Sequence, residues 1–153
     1  MLGKNILFGI IYVLVIIYLL LFIPSIFGYK PLIIESGSME PILNVGGILY
    51  YKSIPLNNYK TNDILVYKIP NHIVSHRIVN RNDYYFITRG DRNNTNDSNV
   101  YNNQVLGKST NYCIPYIGYY ADYIYHHKYL LIITLFIVII DYIVERRSNV
   151  KNN

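Results

Sequence analysis

Hydrophobic and polar positions divide the chain into three parts. Ile6 to Phe27 reads ILFGIIYVLVIIYLLLFIPSIF, 22 residues without a charge. As a helix at about 1.5 Å per residue it would run roughly 33 Å, enough for a bilayer core. The pattern predicts an uncleaved transmembrane anchor over 6–27. A cleaved secretory signal would have a shorter apolar stretch, and PSIFGYK marks a cleavage site poorly. Pro24 falls near the end of this run, where a kink is tolerable. Tyr129 to Val144, YLLIITLFIVIIDYIV, is a second apolar run interrupted by Asp141. At roughly 24 Å it is slightly short for a bilayer. With YIYHHK (123–128) in the headgroup layer, it predicts a second transmembrane helix over 123–144. The competing reading is a buried or surface amphipathic helix.

Between these runs the period changes from 3.6 to two. DILVYKI (63–69), IVSHRIV (73–79), DYYFITR (83–89) and NQVLGK (103–108) are short, β-branched or aromatic, and bounded by Asn, Gly or Pro. NVGGILYYK (44–52) reads as a turn entering another strand, and IPLNNYKTN (54–62) as a loop. The prediction is a mainly β fold: a small antiparallel sheet or barrel-like domain of five to eight strands over 28–122, set between the two helices. About 100 residues close such a core without staples.

Charge then orients the chain. Lys4 precedes the first run, and Arg146, Arg147 and Lys151 follow the second. Basic residues collect on the cytoplasmic side, so 1–5 and 145–153 are expected inside and 28–122 outside. Many of the 18 tyrosines lie near the apolar runs, where amphipathic rings are favoured. Residues 28–128 hold ten Lys/Arg and seven Asp/Glu, a scattered excess of three that does not suggest nucleic acid. The single cysteine, Cys113, excludes an internal disulfide and a Cys-paired metal site, and reads as a buried inert thiol. No metal or cofactor is expected, since His, Cys and Asp do not recur at ligand spacing.

Candidate chemistry centres on SGSMEP (36–41), which puts Ser36 and Ser38 around one glycine just beyond the first apolar run. A serine hydroxyl needs a base for its proton and donors for the charge that develops. His126 and His127 read as interfacial residues. His72 and His76 are four apart on one predicted strand and therefore share a face. Taken alone, His76 reads by default as a structural histidine. The carboxylates on offer are Asp91 and Asp97, in the polar loop TRGDRNNTNDSN (88–99), which by composition also suits a solvated turn. The functional reading has an Asp held by local backbone donors and aimed inward. Two Asn-x-Ser/Thr acceptors, Asn93 and Asn96, fall in the same loop, as chance allows in so Asn-rich a chain.

SGSMEP (36–41), NDILVY (62–67), IVSHRIV (73–79), TRGDRNNTND (88–97) and VLGKSTNYCIPYIGY (105–119) occur in an order that resembles type I signal peptidases. The likeness is to the archaeal and endoplasmic-reticulum branch, which carries histidine where the bacterial branch carries lysine. It covers roughly residues 30–120. The resemblance implies Ser38 as nucleophile, His76 as general base and Asp97 as its acidic partner. It implies a supporting, more structural role for Asp91. Ser36 would help the Ser38 backbone N–H form the oxyanion hole. Departures are Asn62, where the family usually has glycine, Ser75 directly before His76, and Asn96 in place of the first of a common Asp pair. Lys68, a candidate rescue lysine, matches nothing in the family.

The resemblance further implies a membrane-bound serine endopeptidase acting on signal-peptide-bearing preproteins, with small residues favoured at the first and third positions before the cut. Lipid would be one partner, and a secretion translocon or signal peptidase complex subunits another. The expected setting is an archaeal or bacterial plasma membrane, with the endoplasmic reticulum the alternative. Ser38 lies 11 residues beyond Phe27, and PLII (31–34) is expected to shorten that tether by dipping toward lipid. An extended substrate could add as a strand to the domain's edge. The alternative function is a catalytically inactive anchored β module that binds extracytoplasmic partners. A third reading is a related peptidase dedicated to one client.

Overall fold

A computed structural model of the protein describes residues 2–151. Positions 1, 152 and 153, at the tips of the two expected cytoplasmic ends, lie outside the described residues. The chain forms two compact units: Pro24–Tyr120, and the residues up to Ile23 together with those from Ala121 onward.

Helix α1 spans Leu2–Ile26. Its segment Phe8–Ile26 is long and apolar enough to cross a membrane. The helix closes on a C-terminal turn in which the Pro24 carbonyl accepts from the N–H groups of Phe27 and Tyr29 and the Ser25 carbonyl accepts from that of Gly28. Gly28 then takes φ +82°, a left-handed conformation that turns the chain out of the helix. At the other end, the single element expected over 123–144 is divided. Helix α2 spans Ile117–His126 and α3 spans Lys128–Lys151. Each histidine at the break bonds back one turn: His126 Nδ1 lies 3.0 Å from the Asp122 carbonyl and His127 Nδ1 2.9 Å from that of Tyr123. The apolar part of α3, Ile132–Val144, is shorter than that of α1, and among the described residues only α1 meets the length and composition of a membrane span. The stretch expected as a tail from 145 onward continues as helix to Lys151.

The β unit is one antiparallel sheet of seven strands. They are β1 (Lys30–Ile33), β2 (Ile48–Lys52), β3 (Ile64–Ile69), β4 (His72–Arg81), β5 (Tyr85–Arg89), β6 (Val100–Tyr101) and β7 (Val105–Ile114). Their order is β1-β2-β7-β3-β4-β5-β6, with every pairing antiparallel. The period-two runs become strands β2, β3, β4, β5 and β7. Two strands go beyond that pattern. The short β6 is one. The other is β1, built from the PLII stretch expected to approach lipid. Instead Lys30–Ile33 pairs residue for residue with β2, and Ile34 is buried in the core. Helix α2 also begins inside the stretch read as wholly β, where Tyr116 at φ +63° ends the run of β7.

Strand β3 explains how one sheet supports a domain. Its residues Ile64, Leu65, Val66 and Tyr67 are all buried. Side chains alternate across a strand, so both faces of β3 are covered. Ile64 and Val66 pack with Ile34, Met39, Leu43, Leu49 and Tyr51 on one side. Leu65 and Tyr67 pack with Tyr59, Ile78, Phe86 and Val100 on the other. The segment after β1 lids the first cluster, and the loop after β2 supplies Tyr59 to the second. A continuous ILVY run is the signature of such a two-sided strand.

Candidate active site

Between Ile34 and Leu43, both buried, the chain makes one 3-10 turn, Gly37–Met39. Met39 inserts into the first core cluster and fixes the turn, which leaves Ser38 half-buried beside strand β4. Two further contacts clamp it. The Ser38 carbonyl accepts the Arg92 N–H at 2.9 Å, and Arg92 pairs with Glu40. Gly90 runs so close that a Cβ there would lie 2.8 Å from the same carbonyl. Only glycine lets the acid loop approach so near.

Opposite stands His76, 8% exposed. Its place follows from register. His76 pairs with Leu65 and Thr88 with Ile78, so His76, Tyr67 and Thr88 share the face of the second cluster. His76 Nε2 lies 3.0 Å from Ser38 Oγ. On the other side of the ring, Nδ1 lies 2.6 Å from Asp97 Oδ2. Asp97 is half-buried, its N–H donating to the Thr88 carbonyl at 2.8 Å. Ser36 Oγ sits 3.2 Å from Ser38 Oγ.

The remaining candidates sort by contact. Asp91 does not reach the imidazole. It takes a two-pronged bond from Arg77, with Nε and Nη2 each at 2.7 Å, and this pairing raises the Arg77 pKa further. Asp91 therefore ties the acid loop to the strand that carries His76. Lys68 is exposed, on the opposite face of β3 from Tyr67. His126 bonds back to Asp122, and His127 bonds back to Tyr123 with its ring against those of Tyr123 and Tyr129. Cys113 is half-buried rather than buried, and desolvation pushes its thiol pKa up, which suits an inert thiol. Asn62 adopts φ +75°, a conformation that glycine takes freely and asparagine tolerates.

Two residues of the site escape the sequence pattern. Asp97 is expected from sequence to be held by local backbone donors. Its carboxylate is instead gripped by side chains, Thr88 Oγ1 at 2.7 Å and the Tyr67 hydroxyl at 3.2 Å. Burial pushes the Tyr67 pKa up to about 12; the Thr88 hydrogen bond works against this shift and the Asp97 charge adds to it. The available signal was a polar threonine at a core-facing position of FITR.

A cleft of about 580 Å³ opens beside Ser38 and His76. Its walls are the end of β1 with the segment after it, Leu32–Ser36, and the β3–β4 hairpin, Ile69 and Asn71–His76. Both walls end in strand edges that lack a neighbouring strand among the described residues. Strand β1 bonds only to β2 there, and β4 bonds to β5 only from Arg77 onward. The arrangement offers a hydroxyl, a base in contact with it, an acid behind the base, and two backbone edges on which an extended peptide can be laid.

Comparison with known proteins gives the family. The chain is 35% identical to signal peptidase I W of Bacillus subtilis (strain 168) over 127 residues, which is 73% of this chain and 67% of that protein. The chain belongs to the type I signal peptidase family. It is also 26% identical over 101 residues to the human signal peptidase complex catalytic subunit SEC11C, spanning about half (52%) of that subunit. Similarity to SEC11 of Schizophyllum commune is again 26%, over 117 residues and 60% of its length. No family model matches the chain. As a signal peptidase relative, the protein is an enzyme of the peptide-bond-hydrolysing class.

Proposed function

We propose that this protein is a membrane-anchored serine endopeptidase that removes signal peptides by a Ser38–His76–Asp97 mechanism. The observation that carries it is the unbroken chain of contacts from Ser38 Oγ through the His76 ring to Asp97, at 3.0 and 2.6 Å. His76 takes the Ser38 proton as the oxygen attacks a peptide carbonyl, then gives it to the departing amine. Asp97 accepts from Nδ1–H, which directs the Nε2 lone pair at the serine and stabilises the imidazolium. The backbone bonds of the turn around Ser38 run from Glu40 N–H to the Gly37 carbonyl, from Leu43 N–H to the Met39 carbonyl and from Arg92 N–H to the Ser38 carbonyl, and none of these uses the Ser38 N–H. That leaves the Ser38 N–H for the oxyanion, with the Ser36 hydroxyl as second donor. Asp91 serves by holding the loop against Ser38 rather than by touching the base.

The substrate enters as an extended segment between the β1 and β4 edges, adding main-chain bonds to either wall. Residues 6–27 anchor the chain, and the β unit works outside the membrane on the ends of signal peptides, where small residues fit before the cut. The second apolar run, over 123–144, reaches the membrane as well and returns the C-terminus to the cytoplasmic side. The SEC11 relatives are catalytic subunits of a signal peptidase complex, which makes partner subunits part of this reading.

The test is Ser38→Ala in the full chain, reconstituted in liposomes with a secretory preprotein. Processing is expected to vanish while the fold, read by circular dichroism, is kept. Continued processing by Ser38→Ala would overturn the Ser38 mechanism, and a parent chain that processes nothing would leave only an anchored β module that binds its partners without cutting them.

A further inference from the structure

Three donors converge on a single oxygen of Asp97. Oδ2 lies 2.6 Å from His76 Nδ1, 2.7 Å from Thr88 Oγ1 and 3.2 Å from the Tyr67 hydroxyl. Thr88 is fully buried and Tyr67 4% exposed. Both lie on the face otherwise packed with Leu65, Ile78 and Phe86, where Phe and Val would fill the same space without polar atoms. A buried hydroxyl needs a partner, and here both converge on one carboxylate. Packing alone gives no reason for that choice.

We infer that Tyr67 and Thr88 are positioning residues for proton transfer: their hydroxyls fix the rotation of the Asp97 carboxylate so that one lone pair meets Nδ1–H and the ring aims Nε2 at Ser38. This rests on the reading of Ser38, His76 and Asp97 as the reacting set. An ionised carboxylate only accepts hydrogen bonds. Two fixed hydroxyl donors therefore hold it ionised and oppose transfer of the imidazolium proton onto it. Thr88 has a single hydroxyl hydrogen, and the carboxylate is its nearer acceptor, with the Tyr67 oxygen at 3.3 Å. The hydroxyls also withdraw some of the charge that would otherwise stabilise the imidazolium.

The experiment measures kcat, KM and the pH profile of preprotein cleavage by the full chain in detergent. The variants are Tyr67→Phe, Thr88→Val and Thr88→Ser. Hydrogen bonds to a charged acceptor set the scale. Tyr67→Phe and Thr88→Val are each expected to lower kcat roughly tenfold, with KM within about twofold and the acid limb moved to higher pH. Thr88→Ser keeps the donor and is expected to recover most of the rate. A folded Tyr67→Phe with unchanged kcat overturns the inference. So does a loss that merely tracks the folded fraction, with the acid limb unmoved or moved to lower pH. Should Thr88→Val fail to fold, Tyr67→Phe, which removes one oxygen, decides the matter alone. An active Ser38→Ala would sink the underlying mechanism instead. An inactive Ser38→Ala beside a Tyr67→Phe that behaves like the parent would sink only the positioning role.

Discussion

Replacing Asp97 with asparagine separates charge from orientation. In many triads such a change lets the amide N–H₂ face the ring, forcing the wrong imidazole tautomer at a cost of about 10⁴ in kcat. Here the site resists that flip. The oxygen nearest the ring also receives Thr88 and Tyr67, so an amide nitrogen placed there would meet three donors. The asparagine introduced by Asp97→Asn is therefore expected to put its carbonyl oxygen in that place and keep Nδ1–H protonated. What the variant loses is the negative charge beside the imidazolium. At about 4 Å and an effective dielectric near 20, that attraction is about 4 kcal/mol. Side-chain exposures of 11% for His76 and 21% for Asp97 allow some screening, so roughly 2–4 kcal/mol is the working range. At 1.36 kcal/mol per decade, kcat falls about 30- to 1,000-fold. Asp97→Ala, which removes acceptor and charge together, falls at least about tenfold further. The assay is single-turnover cleavage of a preprotein by the full chain, with ¹⁵N imidazole spectra to read the tautomer. An asparagine variant as inactive as the alanine one, with its proton on Nε2, would refute the reasoning. So would one within about threefold of the parent.

Other consequences can be checked with the same material. Arg77→Ala breaks the two-pronged bond to Asp91, whose side chain is 19% exposed; stability is expected to fall by about 1.5–3 kcal/mol, with a melting temperature lower by at least roughly 6 °C. Chemistry at the site, assayed cold where that variant stays folded, should change far less than in Asp97→Asn. Gly90→Ala puts a methyl against the Ser38 carbonyl; cleavage should drop more than roughly tenfold while the melting temperature moves by only a few degrees. Tyr67 holds its proton to about pH 12 when folded and releases it near the ordinary tyrosine value of 10.0 when unfolded. The unfolded chain therefore loses protons first, and denaturant stability is full below about pH 10 and declines above it. Burial shifts Tyr50, Tyr51 and Tyr59 the same way, so Tyr67→Phe should flatten this decline without abolishing it.

Most of the sheet was legible because its strands obey a short-range rule. DILVYKI, IVSHRIV and DYYFITR alternate or run apolar between breakers, and they form β3, β4 and β5. Strand β1 was not legible. PLII has too few residues to show a period, and only pairing with β2 tells a buried edge strand from a lipid-seeking stretch. The break at His127 was hidden because the apolar run gives no hint that two imidazoles bond back to carbonyls one turn earlier. At the site, Ser38, His76 and Asp97 could be named from motifs in order, and the structure brings the three together. Thr88 and Tyr67 escaped notice because each sits in a strand and looks like core. Their meaning depends on register across β3, β4 and β5, which no local pattern contains.

The two sides of β3 carry different halves of the machinery. Met39, next to Ser38, is wedged into one cluster, whereas Tyr67, behind Asp97, belongs to the other. A nascent chain with only one of these cores closed would hold either an aimed alcohol or an oriented acid, never both. In the proposed mechanism, hydrolytic competence thus requires both faces of β3 to be closed at once.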